Sequence, residues 1–216
     1  MAPKFDPSLI PAAPDLSLEN ALWANGVAPI AGIDEAGRGA WAGPVTAAAV
    51  IFPPGYLPQN LLRLVRDSKQ LRPAMRKLLE PLIKELALAW AVGFASNDEI
   101  DVYGILPATR LAMTRALETL SLVPGHLLID ALFLPEIPIV QTALVKGDQR
   151  SLSIAAASIL AKTARDGWME ELSLSEPVYA FERNKGYGTR VHQQALHRFG
   201  PCAVHRFSFA PIKGYQ

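Results

Sequence analysis

The chain has 216 residues, 50% of them hydrophobic, and 21 Lys+Arg stand against 20 Asp+Glu for a formal net charge of +1. That is enough apolar material for one sizeable packed domain with a terminal extension, and it excludes a chain that is disordered throughout. No apolar stretch reaches membrane-spanning length, the first fifteen residues lack the order of a secretory signal, and the lone Cys202 offers neither a disulfide nor a thiolate metal cage, so a reducing, cytoplasmic setting is expected.

Residues 1–28 read as a proline-rich extension. Ala31 to Glu35 and Val45 to Phe52 are apolar, β-compatible runs joined by a glycine-containing connection, which predicts an antiparallel pair. Met75, Leu78, Leu79, Leu82, Ile83 and Leu86 recur at helical spacing after Pro73, and Pro81 is expected to kink that helix. Leu88 to Ala95 suits a third strand. A second helical region follows Asn97, breaks near Gly104 and resumes to about Leu120. Leu127 to Asp130 and Ile139 to Val145 predict two more strands, and Ser151 to Leu172 a long helix with an alanine-rich packing face. Thr189 to Phe199 carries the clearest helix signals, with threonine as N-cap, Gly200 at the end and Pro201 beyond it.

Charge is not spread evenly. Glu182 is the last acid, and Arg183, Lys185, Arg190, Arg198, Arg206 and Lys213 follow it with His192, His197 and His205. A one-signed stretch interleaved with Tyr187, Phe199, Phe207 and Phe209 suits a polyanion, with stacking on bases or sugars; the blander account is a solvated basic tail. The histidines are expected at the surface or against the polyanion.

Acids gather where predicted strands end. Asp34 and Glu35 end the first strand, Asp130 ends the fourth, and Asp148 follows the fifth. Alone, the Asp34-Glu35 pair reads first as a solvated turn. In a mixed sheet whose first and fourth strands are parallel neighbours, however, Asp34 and Asp130 come within reach of one cation. Asp34 and Glu35 start on opposite faces of a straight strand, so the chain must bend at once for both to join, and Gly37 and Gly39 permit that. Hard carboxylate oxygens without cysteine point to Mg²⁺ or Mn²⁺ over zinc, and phosphoryl transfer is the chemistry favoured.

Gly32-Ile33-Asp34-Glu35-Ala36-Gly37-Arg38-Gly39 followed by Ala42-Gly43-Pro44-Val45 closely resembles the opening motif of the type 2 ribonuclease H family, in particular bacterial ribonuclease HII. The resemblance continues through Asp67-Ser68-Lys69, Leu128-Ile129-Asp130, Lys146-Gly147-Asp148, the stretch Ser153 to Lys162, Lys185-Gly186-Tyr187-Gly188-Thr189 and His205-Arg206. Ala40-Trp41, Ala131 (commonly glycine) and Asn184 (frequently histidine) depart from the pattern, and none of these removes a carboxylate.

The resemblance implies a ribonuclease H-like mixed five-stranded sheet of order 3-2-1-4-5 flanked by helices, a catalytic domain over 29–175 and a basic helical substrate-binding region over 176–216. It implies hydrolysis on the 5′ side of a ribonucleotide in duplex DNA or in an RNA·DNA hybrid by two-metal catalysis, with Asp34, Glu35, Asp130 and Asp148 as catalytic metal ligands and Mn²⁺ or Mg²⁺ as cofactor. Gly37, Arg38 and Gly39 would lie against the ribose 2′-hydroxyl and Tyr187 against the neighbouring deoxyribose, with Ser68, Lys69, Lys146, Lys185 and Arg206 as further substrate contacts. Ser68 equally suits a helix cap, and Lys146 equally balances the acids. Ser158 and Lys162, four apart, mimic a hydrolase dyad but fit packing and a solvated or phosphate-facing cation better. No obligate protein partner is evident and a monomer is expected; the rival reading is a ribonuclease H-like module that binds nucleic acid without cutting it.

Overall fold

The computed structural model describes residues 5–55, 64–66 and 68–215. Asp67 of the sequence motif lies outside them. A single five-stranded sheet runs in the order β3-β2-β1-β4-β5, built from β1 (Ile30–Ala36), β2 (Val45–Ile51), β3 (Ala89–Ala95), β4 (His126–Asp130) and β5 (Val140–Leu144). β1 pairs antiparallel with β2 and parallel with β4, and β5 is parallel to β4. The expected order and mixed character are what the structure has.

Both faces of the central strands are covered, which is why β2 reads as an unbroken apolar run rather than an alternating one. On one face Ala31, Ile33, Ala47 and Ala49 pack against Ala108, Ala112 and Met113 of the helix Ile105–Glu118. On the other, Ala48 and Val50 meet Ala155, Ala156 and Ile159 of the long helix Leu152–Ser175. Among the described residues the helices are, in chain order, α1 (Ser17–Ala24), α2 (Pro73–Leu86), α3 (Asn97–Tyr103), α4 (Ile105–Glu118), α5 (Leu152–Ser175), α6 (Phe181–Asn184), α7 (Arg190–Phe199) and α8 (Ala210–Lys213). Small residues dominate the α5 contact because the helix lies almost on the sheet: a Cβ on Gly32 would overlap the main chain of Ser153.

The punctuation is local chemistry. Ser96 and Glu99 form a reciprocal capping box at the start of α3, Gly104 at φ 84° separates α3 from α4, and the Thr189 side chain accepts from His192 N at the start of α7. α2 runs through Pro81 within Pro73–Leu86. The N-terminal segment also enters the core, with Leu16 and Trp23 packing beside Leu152 and Leu160, and Leu18 and Leu22 beside Ile30 and Leu128.

Candidate active site

The parallel register decides where the acids meet. Ile33 pairs with Ile129, so the next residues outward on β1 and β4 are Asp34 and Asp130. β1 continues to Ala36, still paired with Thr46, and the chain turns only at Gly37, where φ is 94°. The expectation of a bend directly after the acid pair is therefore corrected: Glu35 is still strand, and the turn comes two residues later.

Asp130 and Asp148 are joined through the turn after β5. Gly147 N donates to Asp130 Oδ1 at 2.6 Å, and Asp148 is the next residue, in the 3-10 turn Gly147–Gln149. Asp34 and Asp148 are only 3% and 5% exposed, so water does little to separate their charges. Burial, followed by repulsion from Glu35, Asp130 and Asp148, pushes the Asp34 carboxyl well above the usual carboxylate range. Burial also raises Glu35, against the pull of the Arg38 guanidinium 3.1 Å from its Oε1. Glu35 Oε2 is buried without a hydrogen-bond partner.

These observations fit a hard divalent cation. A mutually repelling set of carboxylate oxygens, one of them an orphan, is what a cation of that kind stabilises. Among the described residues no group of three or more His, Cys, Asp or Glu side chains is placed closely enough to hold a metal ion as it stands. The acids share a rim, and a cation would supply the charge that draws them in.

The predicted substrate contacts divide into two groups. Arg38, Gly39, Lys69 and Lys146 are exposed beside the acids, and Tyr187 is 36% exposed with Lys162 Nζ 5.6 Å and Arg165 Cζ 5.5 Å from its ring centroid. Lys69 is close enough to favour the charged form of Glu35. Lys185 is turned inward, donating to Glu170 Oε1 at 2.8 Å and Glu182 O at 2.7 Å. Ser68 is buried, its amide on Ser158 Oγ and its carbonyl on Arg76; it is not the N-cap of α2, which is Arg72.

Arg206 is a correction. It has no exposed surface and donates to the carbonyls of Gly43 at 2.9 Å, Arg38 at 2.9 Å and Pro44 at 3.0 Å, so it cannot reach a phosphate. His192 and His205 are corrected likewise: both are fully buried, with Nε2 atoms 3.0 Å apart. The Ser158/Lys162 dyad does not form, since Ser158 Oγ donates to Ala155 O and Lys162 Nζ to Asp166 Oδ1 at 2.6 Å.

Sequence reasoning missed Arg165. Its guanidinium donates to Pro44 O at 2.9 Å, Ala42 O at 3.1 Å and Lys185 O at 2.9 Å, tying the segment after Gly39 to the turn that carries Tyr187. The available signal was its position four residues after Ala161 on the alanine face of α5, where an arginine cannot be solvated. Asn184 closes the same turn, donating to Tyr179 O and accepting from Gly186 N at 2.8 Å. Ala131 has φ 51°, a left-handed backbone conformation that glycine adopts more readily than alanine.

A mixed sheet of this order, with acids at the ends of its central parallel strands, defines the ribonuclease H-like class. A model of the family described as Ribonuclease HII matches residues 31–212. The ribonuclease HII of Chloroflexus aurantiacus is 52% identical over 200 residues, covering 92% of this chain and 94% of that protein. Among solved structures, the ribonuclease H2 of Pyrococcus horikoshii superposes with a TM-score of 0.70 at 23% identity, over 87% of this chain and 97% of that one. Bst-RNase HIII in complex with Mn²⁺ gives 0.64 at 22% identity, over 90% and 71%. The chain belongs to the ribonuclease HII family and is a ribonuclease H-type hydrolase.

Proposed function

We propose that the chain is an endoribonuclease that hydrolyses the phosphodiester on the 5′ side of a ribonucleotide in duplex DNA or an RNA·DNA hybrid, leaving 5′-phosphate and 3′-hydroxyl ends. Removal of misincorporated ribonucleotides is its role in this reading, and the protein works as a cytoplasmic monomer. The catalytic domain is 29–175, with 176–216 as the substrate-binding region. The observation that carries the proposal is the buried Asp34 carboxyl repelled by Glu35, Asp130 and Asp148, with the Glu35 Oε2 orphan beside it. A module that only bound nucleic acid would gain nothing from carboxylates that repel phosphate.

Asp34, Glu35, Asp130 and Asp148 would hold two Mn²⁺ or Mg²⁺ ions, which activate the attacking water and neutralise the leaving 3′ oxygen. The protein's own contribution is placement. The Gly147 amide holds one oxygen of Asp130 and the Glu35 amide one oxygen of Asp34, at 2.6 Å and 2.7 Å, so each carboxylate has a set orientation. In this reading the main chain of Gly37, Arg38 and Gly39 approaches a ribose 2′-hydroxyl, which the exposure of Arg38 and Gly39 supports, while Gly37 is buried behind them. Arg206 donates to the Arg38 carbonyl within that segment, and Arg165 holds the chain just after it at Ala42.

A DNA duplex bearing one ribonucleotide tests this, incubated with Mn²⁺ or Mg²⁺, with EDTA, and with Asp34→Asn. Cleavage 5′ to the ribonucleotide should occur only in the metal lanes of the native protein. Asp34→Asn should be inactive and, without metal, should melt about 2–4 °C higher, because a buried, repelled carboxylate is gone. Absence of any metal-dependent cut at the ribonucleotide would sink the reading, and binding without cutting would favour the non-cleaving module.

A further inference from the structure

We propose that Glu19 is a positioning residue of the catalytic centre, acting from the N-terminal helix through the start of α5 on Asp130 and Asp148. The proposal rests on the two-metal reading above. Glu19 lies in α1, outside the stretch that matches the family model, yet its side chain is among the most deeply buried acids of the chain at 1% exposure. Its Oε1 accepts three hydrogen bonds, from Ser151 Oγ at 2.6 Å, Ser153 N at 3.0 Å and Ser153 Oγ at 2.6 Å. The neighbouring Asp15 carbonyl accepts from Leu152 N at 2.9 Å. Asp15 to Glu19 thus grips three consecutive residues, 151 to 153.

Those residues lead directly to the acids. Ser151 N donates to Gly147 O at 2.9 Å, and Gly147 N donates to Asp130 Oδ1 at 2.6 Å, with Asp148 between the two anchor points. A continuous path of hydrogen bonds therefore runs from Glu19 to one metal-binding carboxylate and around another. Ser153 also abuts Gly32, two residues before Asp34, so the same grip seats α5 against β1. The acid is suited to the place: the first turn of a 24-residue helix presents amides without acceptors inside the helix and a positive dipole end, which stabilise a buried anion that has no cationic partner among the described residues. Neutral residues could pack there. A charged acceptor of three donors makes the turn stiff.

Glu19→Ala, Glu19→Gln and Ser153→Ala test this with three readouts: kcat and KM on the single-ribonucleotide duplex, thermal midpoint, and Mn²⁺ binding to the metal-free protein by calorimetry. Glu19→Ala should lower kcat and Mn²⁺ affinity about 10-fold each, well below its melting temperature, while KM stays within about twofold. Glu19→Gln keeps an oxygen for the three donors and should recover kcat to within about threefold of the native value. Glu19→Ala that melts earlier but keeps native kcat and Mn²⁺ affinity would show a purely structural cap and overturn the proposal. If Glu19→Ala does not fold, Ser153→Ala decides: loss of one donor should reduce kcat about threefold at unchanged KM, and native kcat overturns the idea. A native protein that cuts nothing defeats the proposed function instead, and the calorimetric comparison still judges Glu19.

Discussion

Gly37 and the side chain of Arg165 occupy adjoining space so closely that a Cβ on Gly37 would overlap the arginine Nε. Gly37 also has φ 94°, so two independent constraints exclude a side chain at the turn that ends β1. Gly37→Ala is therefore expected to destabilise the protein by more than about 2 kcal/mol and to abolish cleavage, because the displaced Arg165 releases the carbonyls of Ala42, Pro44 and Lys185 together. Thermal unfolding and the cleavage assay read both effects. A stable, active Gly37→Ala protein would show that the turn and the arginine are not coupled.

Arg206 should behave as a brace and not as a phosphate ligand. Arg206→Lys, which cannot serve three carbonyls at once, is expected to cost about 3 kcal/mol of stability. The slope of binding affinity against salt concentration should stay unchanged, whereas Arg38→Ala, on an exposed side chain, should reduce it by about 1. A reduced slope with native stability for Arg206→Lys would restore a direct contact.

Tyr187 presents its ring to solvent while Lys162 and Arg165 sit near it, as a surface for a sugar requires. Tyr187→Ala should lower cleavage at a single embedded ribonucleotide more than cleavage of a long hybrid, since only the former depends on reading the junction with deoxyribose. Equal losses on both substrates would count against that role.

The buried histidine pair predicts an acid-sensitive fold. His192 Nδ1 donates to Tyr187 O at 3.0 Å, which leaves its Nε2 to accept from His205, whose Nδ1 in turn accepts from Cys202 N. Both rings are neutral in this chain of bonds. Burial pushes His205 down to about 4 and lowers His192 as well. The unfolded chain takes up these protons near the ordinary value of about 6.5, so the stability is complete above that pH and is lost as pH falls towards 4. The drop in thermal midpoint between pH 7 and pH 5 should shrink in His205→Asn; an unchanged drop would assign the acid sensitivity elsewhere.

Much of the fold was legible because its signals are local. Thr189 and Gly200 bracket α7, Gly104 parts α3 from α4, and Asp130 closes β4 as read. What was illegible depended on partners far along the chain. Arg206 looks like the other cations after Glu182 until its three carbonyls, 162 to 168 residues away, are in view. His192 and His205 read as surface residues because polarity suggests solvent, whereas each satisfies the other in the core. Glu19 gave no hint at all, since nothing near it in sequence shows a buried helix start awaiting an acceptor.

The sequence by itself determined most of the elements and the family, and it singled out the four carboxylates proposed as the site, because periodicity, caps, glycine breaks and ordered motifs are written in neighbouring residues. Only the tertiary structure decided which charges stay exposed and which are buried as braces on main-chain groups. A charged side chain is defined by its solvation, and solvation at Glu19, Arg165 and Arg206 is set by main-chain groups that folding alone brings to them.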